Sequence, residues 1–495
     1  MRPHSAVEFD ARALDVAERL RRAADHARRK ARSLRRPVLA WAATQISPID
    51  PLRAFAYSDA SHRILWARPA EQFRLLGIGS AWTSSPKGPG RFEQAAAAWS
   101  ACVDDAVSDD TDRSAVGAGP LALAGFSFLA EAPAGPEWDS FPSAAVVVPR
   151  LSVCNSGDAC WLSVAVTVEP GERAEVDETM AHLRTIVDAA GRGSGDGAAE
   201  AGGGPPVLDE LPLADRWKAA VGRAAQAVRD GQLRKIVLAR AINVTGLRAR
   251  PATALRRLSA DYPNCAIFAV ARGDRCFLGA TPERLVRIRD SRVNTAAVAG
   301  SAPRGGTPDE DERLGEALLK NPKDRLEHAV VVDMLREVIS EACDDVTTAV
   351  GPTLLKVANI QHLETALAGR LRERLSILEL AGRLHPTPAV GGLPRDRALG
   401  WMREHEELER GWYAGPVGWI DRRGEGEFAV AIRSALMHGN RARLFAGCGI
   451  VADSDPDQEY AESWLKLRPM LSALGVNDTG VPAARFPGAS RGEVL

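Results

Sequence analysis

The stretch that most constrains the fold of this chain is residues 444–467, LFAGCGIVADSDPDQEYAESWLKL. It predicts a short apolar strand, a glycine-rich turn, an acidic loop and a helix that begins at residues 455–457. Within that helix Glu459, Glu462 and Lys466 share one face, because they recur at i, i+3 and i+7. The face is either solvated, with an intrahelical Glu462–Lys466 ion pair, or a site that holds a hard cation and an anionic ligand. From this stretch alone we favour the solvated face.

Composition restricts the class of protein. The 495 residues carry a net charge of −1, with 45% apolar and 26% charged residues, which predicts a globular protein without bulk attraction to nucleic acid or membrane. The seven cysteines include no CxxC pair, which argues against a zinc site or a disulfide framework and favours a reducing compartment. The N-terminus lacks the apolar core of a signal peptide, and no run approaches the ~18–20 apolar residues of a membrane span. We therefore expect a cytoplasmic protein.

The sequence divides into five segments. Residues 1–37 predict an N-terminal helical extension, Arg-rich and amphipathic, that is either a surface helix, which we favour, or a nucleic-acid-binding patch. Residues 38–190 contain short apolar runs broken by Gly, Pro and Ser, as expected for strands with some helix. Residues 191–206, GRGSGDGAAEAGGGPP, predict a flexible linker. Residues 207–475 carry the richest motifs, and residues 476–495 predict a disordered tail.

Three charged residues after the linker are candidates for a site. LRKIVLARAINV alternates as a strand, with Lys235 on the same, largely apolar face as Val237. Because burial of its charge is costly, Lys235 is either functional or lies at a sheet edge where its ammonium reaches water. Glu283 follows a Thr-Pro turn, where a glutamate is usually solvated. Glu327 lies within LLKNPKDRLEHAVVVDMLREVISEA, which predicts one long helix.

Two histidines and an arginine follow in the C-terminal part. His362 and His385 lie beside apolar residues, where a hydrogen-bonded structural histidine is the usual case. RGWYAGPVGW and GEFAVAIRSALM predict strands. In the second of these strands Arg433 lies opposite Phe428 and Ile432, because successive side chains alternate. Arg433 is therefore predicted to face away from their core side.

Nine ordered motifs between about residues 208 and 474 resemble those of the chorismate-utilising enzymes. They are KIVLAR, FLGATPERL, AVAGSAPRG, LLKNPKDRLEH, IQHLETALAGRL, LHPTPAVGG, RGWYAGPVG, FAVAIRSA and GCGIVADSDPDQEYAESWLK. The family includes isochorismate synthases, salicylate synthases, anthranilate synthase component I and aminodeoxychorismate synthase component I. The resemblance is closest to the isochorismate synthases. Lys235 stands where isomerising and salicylate-forming members have a lysine, and LHPTPAVGG and RGWYAGPVG have the isochorismate form.

The resemblance implies an α+β fold: a single large domain with two packed antiparallel sheets flanked by helices. Residues 38–190 would supply part of this sandwich, and residues 207–475 would form the chorismate-binding catalytic region. The linker at residues 191–206 would then be an insertion within one domain.

The resemblance also implies an activity. Chorismate would be converted to isochorismate with Mg²⁺, by addition of water at C2 and loss of the C4 hydroxyl, in menaquinone or siderophore biosynthesis. Alternatives are a salicylate synthase, which also eliminates pyruvate, and an anthranilate or aminodeoxychorismate synthase component I, which needs ammonia from a glutaminase. A non-catalytic chorismate-binding protein is a further alternative, but the intact charged motif residues argue against it. We expect a monomer without a glutaminase subunit, nucleic acid or membrane partner.

The family's catalytic and metal-binding positions are occupied in this chain. Lys235 matches the general base that activates water, and Glu283 matches the general acid that protonates the departing hydroxyl. Glu327 and Glu462 match magnesium ligands, with Glu459 near enough to bind directly or through water. Mg²⁺ usually takes one or two protein carboxylates and keeps several waters, so substrate oxygens would complete the site.

The family's substrate-binding positions are also matched. Arg433 and Tyr413 match residues that bind the pyruvyl carboxylate, and Lys466 matches a lysine near the substrate carboxylates. His362 matches a histidine that shapes the pocket. Backbone segments that line the pocket are matched by Gly300, Ser301, Gly447, Cys448 and Gly449. The family often has Thr at position 301 and commonly Ala at position 448, and we expect these departures to tune packing without loss of chemistry.

Overall fold

A computed structural model of the chain describes residues 4–58, 60–109, 116–172, 176–181, 183, 205–373 and 375–476. The predicted linker, residues 191–206, lies outside the described residues except for Pro205 and Pro206. The predicted tail, residues 476–495, lies outside them except for Val476.

The helices begin mostly at a proline or a capping side chain, as their sequences favour. In chain order they are α1 (His4–Leu34), α2 (Pro51–Tyr57), α3 (Arg91–Asp105), α4 (Ala214–Arg229), α5 (Pro251–Asp261), α6 (Pro308–Lys320), α7 (Pro322–Ala342), α8 (Ile377–Leu384), α9 (Arg395–His405) and α10 (Pro456–Leu474). The predicted start of α10 is confirmed, because the Asp455 side chain accepts hydrogen bonds from the backbone N–H groups of Asp457 and Gln458. Short 3₁₀ turns lie at Pro69–Glu71 and Pro136–Trp138.

The prediction of one long helix around Glu327 is wrong. The chain forms two helices, α6 and α7, which are separated at Asn321. The Asn321 side chain accepts hydrogen bonds from the N–H groups of Lys323 and Asp324, and Pro322 occupies the first helical position of α7. A proline lacks the N–H that would continue α6, so the sequence Asn-Pro starts a new helix and turns its axis.

The strands are short and come from both sides of the predicted linker. Before it they are β1 (Val38–Gln45), β2 (His62–Arg68), β3 (Phe73–Ile78), β4 (Trp82–Ser84), β5 (Val107–Ser108), β6 (Leu121–Phe126), β7 (Ala144–Val148), β8 (Leu151–Ser156) and β9 (Ala159–Val168). After it they are β10 (Val207–Leu211), β11 (Lys235–Thr245), β12 (Ala266–Arg272), β13 (Arg275–Thr281), β14 (Arg284–Arg289), β15 (Arg292–Pro303), β16 (Cys343–Thr348), β17 (Thr353–Lys356), β18 (Ile360–Leu371), β19 (Gly392–Leu393), β20 (Pro416–Asp421), β21 (Gly426–Val430), β22 (Ser434–His438) and β23 (Arg441–Ile450).

These strands form two large sheets within the described residues. The first sheet has 13 strands, in the order β10-β11-β23-β22-β13-β12-β2-β3-β8-β9-β1-β5, with β19 paired to β11. The second has 10 strands, in the order β16-β18-β15-β14-β21-β20-β6-β7-β4, with β17 paired to β18. Each sheet joins both parts of the chain, because β2 pairs with β12 in the first and β6 pairs with β20 in the second. Among the described pairs only β1–β5 is parallel.

Side chains join the two sheets face to face. Phe73 of β3 stacks on Trp419 of β20, with ring centroids 5.4 Å apart. Arg68 of β2 forms a buried ion pair with Glu427 of β21, with nitrogen and oxygen 2.6 Å apart. The fold is therefore the implied α+β domain of two packed, largely antiparallel sheets flanked by helices.

Helix α1 lies against the outer face of the first sheet. Its apolar side, which includes Val16, Leu20 and Ala27, is buried, and the helix contacts β1 and β9. On its polar side Lys30 and Arg22 form ion pairs with acidic side chains of this same chain. These contacts favour the surface-helix interpretation over a nucleic-acid patch. No helix in the described part of the chain is long and apolar enough to cross a membrane.

Candidate active site

A cavity lies where the two sheets meet helices α7 and α10. Gly447 and Gly449 of β23 line the cavity from the first sheet, and Gly300 and His362 line it from the second. Most of the predicted site residues line it, namely Glu283, Gly300, Ser301, Glu327, His362, Tyr413, Arg433, Gly447, Gly449, Glu462 and Lys466. Residues far apart in the sequence thus converge on one concave, strongly charged space, as expected of a small-molecule site.

Lys235 begins β11 and is 1% exposed. The sheet-edge alternative, in which its ammonium reaches water, is therefore wrong. Its Nζ lies 2.9 Å from Oε1 of Glu327, yet it donates no hydrogen bond to any described residue. Gly449 makes this approach possible, because a Cβ at that position would collide with the Glu327 carboxylate and the Lys235 side chain. A buried ammonium with unused donors is costly and is typical of a functional position.

Glu283 follows the turn after β13 and is buried, so the expectation of a solvated glutamate is wrong. Burial raises the pKa of Glu283 to about 7, although the charges of Lys235, Arg433 and Lys466 act to lower it. A carboxyl group with this pKa carries a proton in a large share of molecules near neutral pH. Glu283 can therefore serve as an acid in the cavity.

The glutamate face of α10 turns inward, so the solvated-face interpretation is also wrong. Glu459 is 3% exposed and Lys466 is 9% exposed. The expected Glu462–Lys466 ion pair is present at 2.6 Å, but it lies in the cavity, where Lys466 also donates to the carbonyl of Gly447 at 2.9 Å. The helix packs against β23, and this packing takes the charged face out of water.

Glu327, Glu459, Glu462 and Asp324 form an acidic cluster between α7 and α10. Sequence reasoning missed Asp324 and the neighbouring Lys323, which lie in the first turn of α7. Lys323 forms an ion pair with Glu459 at 3.0 Å. Burial raises the pKa of Asp324 to about 7, with added repulsion from Glu327 and Glu462. Asp324 lies three residues before Glu327 in NPKDRLEH, and that spacing on one helix face could have indicated it.

The carboxylates of this cluster fit a hard divalent cation. Burial, with added repulsion from Glu462, raises the pKa of Glu459 to about 7 and so disfavours its charged form. A divalent cation relieves such repulsion, and carboxylate oxygens are the donors that Mg²⁺ prefers. Ligand atoms of Cys448, Glu459 and Glu462 lie within 4.8 Å of one another. Burial raises the pKa of the Cys448 thiol well above its usual range, so the sulfur stays protonated and is a poor donor for such an ion.

Cys448 takes a different position from its glycine neighbours. It pairs with Leu238 across the β11–β23 ladder, on the face opposite that of Val237 and Gly449. Its Sγ donates to the backbone carbonyl of Glu459 at 3.2 Å. The Cys448 side chain therefore packs under α10 and is not among the residues that line the cavity.

Arg433 reaches the cavity through a break in the predicted strand. The segment 426–438 forms β21 and β22, and Arg433 between them has a left-handed φ of 51°. The prediction from strand alternation is therefore wrong, since Ile432 and Arg433 both line the cavity. The predicted strand at residues 410–419 is confirmed only from Pro416 onward, for a similar reason. Gly411 and Ala414 have positive φ there, and β20 begins only at Pro416.

His362 connects the Arg433 side chain to the backbone of Gly300. Its Nε2 lies 3.2 Å from a guanidinium nitrogen of Arg433, and its Nδ1 lies 3.1 Å from the carbonyl oxygen of Gly300 and 3.0 Å from Oγ of Ser301. Because a guanidinium only donates, Nε2 accepts and Nδ1–H donates to the carbonyl. Burial, with the charges of Arg433 and Lys466, lowers the pKa of His362 to about 3, so the ring is neutral.

The remaining polar residues around the cavity are structural. His385 lies behind the cavity, and its Nε2 is 3.0 Å from the Phe128 carbonyl, as expected of a structural histidine. Arg410, which sequence reasoning missed, lines the cavity and donates to the carbonyls of Val390 and Val237. It also forms a buried ion pair with Glu406 at 2.6 Å. The guanidinium of Arg410 thus holds the cavity wall in place through these contacts.

Comparison with known proteins places this geometry in a family. Residues 24–475 match the family model described as chorismate binding enzyme. The chain belongs to this family. It is 37% identical over 462 residues to isochorismate synthase MenF of Bacillus subtilis (91% of this chain, 96% of the relative). It is 38% identical over 469 residues to the salicylate biosynthesis isochorismate synthase of Pseudomonas aeruginosa (92% and 94%).

Solved structures share the fold. The menaquinone-specific isochorismate synthase MenF from Escherichia coli superposes with a TM-score of 0.72, at 22% identity, over 91% of this chain and 99% of that chain. Anthranilate synthase component I from Streptococcus pneumoniae superposes with a TM-score of 0.62, at 20% identity, over 81% and 92%. Both are similar to this chain in fold.

Substitution of Glu283 by glutamine is expected to change how stability depends on pH. Folding raises the pKa of Glu283 from 4.5 to about 7, so between these values the folded protein binds a proton that the unfolded chain lacks. The stabilisation from this proton is full below pH 4.5 and is lost as the pH rises through about 7. Urea-denaturation midpoints measured between about pH 5 and pH 8 should therefore fall more in the wild type than in Glu283→Gln. The control, Glu404→Gln on the exposed face of α9, should follow the wild type. Parallel profiles for wild type and Glu283→Gln would contradict the assignment.

Proposed function

We propose that this chain is an isochorismate synthase, which converts chorismate to isochorismate with Mg²⁺. The observation that carries the proposal is the convergence of Glu283, Glu327 and Glu462 on one cavity, with the Lys235 side chain in contact with Glu327. The similarity along nearly the whole chain to relatives named isochorismate synthases supports it. We also propose that the enzyme is cytoplasmic and acts as a monomer without a glutaminase subunit.

Substrate binding requires cations, because chorismate carries two carboxylates. Arg433 and Lys466 place a guanidinium and an ammonium in the cavity wall, and Tyr413 adds a hydroxyl beside them. Tyr413 is fixed by stacking on Phe445, with ring centroids 5.0 Å apart. Arg433 is fixed by His362. We propose that Arg433 and Tyr413 bind the pyruvyl carboxylate through the planar fork that arginine offers to such a group.

The ring carboxylate would lie at the acidic cluster. Glu327 and Glu462, with Glu459 directly or through water, would hold Mg²⁺, which when bound supplies positive charge that neutralises this carboxylate. Two further residues lie beside these glutamates. Lys323 forms an ion pair with Glu459, and Asp324 is repelled by Glu327 and Glu462.

Two side chains would carry the protons of the reaction. Lys235, once its ammonium has lost a proton to solvent, takes a proton as the neutral amine from a water molecule while the oxygen of that water forms a bond to C2 of the ring. Glu283 gives its proton to the C4 hydroxyl, which leaves as water while the ring double bonds shift. One water enters and one leaves, so the product is an isomer of the substrate. Return of the proton from Lys235 to Glu283 through solvent restores both groups. The pKa of about 7 at Glu283 supports its role as the proton donor.

The product of the reaction tests the proposal. Purified protein is incubated with chorismate and Mg²⁺, and the products are separated by chromatography. We expect isochorismate as the main product. Salicylate with pyruvate as the main products would identify a salicylate synthase, and an aminated product formed only with ammonia would identify an anthranilate or aminodeoxychorismate synthase. Unchanged chorismate would contradict an enzymatic function.

Variants separate the catalytic, binding and metal roles. Lys235→Ala and Glu283→Gln should lower kcat by at least about 10²–10⁴-fold while calorimetry still detects chorismate binding with Mg²⁺. Glu462→Ala and Glu327→Ala should abolish turnover at ordinary Mg²⁺ concentrations and weaken Mg²⁺ binding in calorimetry, whereas the exposed Glu316→Ala on α6 serves as a control that changes neither. Loss of chorismate binding with unchanged kcat in Lys235→Ala would make Lys235 an anion anchor. An unchanged Mg²⁺ titration in Glu462→Ala or Glu327→Ala would contradict the metal assignment for that residue.

A further inference from the structure

A second buried cation lies on the opposite face of β11 from Lys235. Arg240 is fully buried, and its guanidinium carbon lies over the rings of three aromatic side chains. The distances to the ring centroids are 5.9 Å for Trp217, 4.5 Å for Tyr460 and 5.2 Å for Trp464. Such stacking suits a planar guanidinium, which is weakly hydrated and delocalised.

Hydrogen bonds close this cage around Arg240. One guanidinium nitrogen donates to Oε2 of Glu210 at 2.6 Å, and another donates to Oγ of Ser463 at 2.9 Å. The Tyr460 hydroxyl donates to the second oxygen of Glu210 at 2.7 Å. The Arg240 cage, formed by Arg240, Glu210, Trp217, Tyr460, Ser463 and Trp464, therefore joins β10, β11 and α4 to α10.

Two cage residues of α10 come directly after its two glutamates in the sequence. Tyr460 follows Glu459, and Ser463 follows Glu462. Successive residues of a helix point about 100° apart, so the cage holds α10 on the side adjacent to its glutamate face. A contact in that position fixes the rotation of the helix about its own axis, which decides where the carboxylates lie.

Strand β11 thus contributes to the catalytic site with one face and to the Arg240 cage with the other. Val237 lines the cavity and Lys235, on the same face of the strand, contacts the lining residue Glu327, whereas Arg240, at an even position, faces α10. The same strand therefore sets the position of the proposed base and the orientation of the helix that supplies the proposed metal ligands.

We propose that Arg240 is a positioning residue for the metal site, which holds α10 in the rotation that directs Glu459 and Glu462 into the cavity. This inference rests on the proposed magnesium site. It assigns no contact between Arg240 and the substrate or the ion.

The geometry indicates the size of the effect. A carboxylate about 6 Å from the helix axis moves by about 1 Å when the helix turns by about 10°. A misplacement of this size in an active site can cost about 10²-fold in rate, and loss of a group that orients metal ligands typically costs about 10–100-fold in metal affinity.

The test uses Arg240→Lys, which keeps the charge but loses the planar fork and its stacking. Below its melting temperature this variant should bind Mg²⁺ about 10–100-fold more weakly in calorimetry with the metal alone, and should need correspondingly more Mg²⁺ for half-maximal turnover. The matched control is Arg63→Lys, whose guanidinium lies 5.1 Å from the Phe55 ring and donates to the carbonyls of Phe55 and Ser58, away from α10. The control should lower thermal stability without changing Mg²⁺ affinity.

A second readout does not depend on the metal or on turnover. Cys448 lies under α10 and bonds to the Glu459 carbonyl, so a loosened helix exposes it. Alkylation followed by mass spectrometry should show faster modification of Cys448 in Arg240→Lys than in wild type or Arg63→Lys, with buried Cys154 of β8 as the internal reference.

Wild-type rates of Cys448 alkylation in Arg240→Lys would overturn the proposal, as would unchanged Mg²⁺ affinity with a lowered melting temperature. If the wild type itself bound no Mg²⁺, the proposed metal site would fail, while the alkylation rates would still report whether Arg240 holds α10.

Discussion

Three ammonium–carboxylate pairs allow this chain to keep its acidic cluster inside the cavity. Lys235 pairs with Glu327, Lys323 with Glu459, and Lys466 with Glu462. Burial of unpaired charges would cost several kcal/mol for each ion, so the cluster is compatible with folding only because each glutamate has a cation beside it. The pairs join β11, α7 and α10, and they therefore also fix the elements that surround the cavity.

Two further carboxyl groups of the site lack such a pair. In the described part of the chain neither Glu283 nor Asp324 forms an ion pair, and burial raises the pKa of each to about 7. The cavity thus holds two kinds of carboxyl group, which differ in their partners. Although burial acts to raise it, the charge of Lys466 lowers the pKa of Glu462, so this carboxylate supplies negative charge for a cation, whereas Glu283 can hold a proton for transfer. Glu459 has a raised pKa of about 7 in spite of its pair with Lys323. A site that assembles charge and carries protons in this way suits an isomerisation in which water is exchanged for a hydroxyl.

Sequence periodicity predicted which residues share a face, but not which way the face turns. Glu459, Glu462 and Lys466 lie on one side of α10 as expected, yet only the packing of α10 against β23 and the Arg240 cage turns that side inward. The resemblance of ordered motifs predicted the fold class and most of the polar and charged side chains that line the cavity. It could not reveal the break between α6 and α7 or the left-handed φ of Arg433, because these depend on local backbone geometry. Cys448 shows the same limit, since strand alternation directs its side chain away from the glycines beside it.

The central claim is that Lys235 directs a solvent water to C2 of the substrate while Glu283 releases the hydroxyl at C4. The most direct test is the reaction in ¹⁸O-labelled water, followed by mass spectrometry of the product. The account predicts one ¹⁸O atom in each newly formed isochorismate, at the C2 hydroxyl, and none in chorismate that has not reacted. Isochorismate that retains the original unlabelled oxygen would mean that the hydroxyl migrates within the substrate, and would contradict the roles assigned to Lys235 and Glu283.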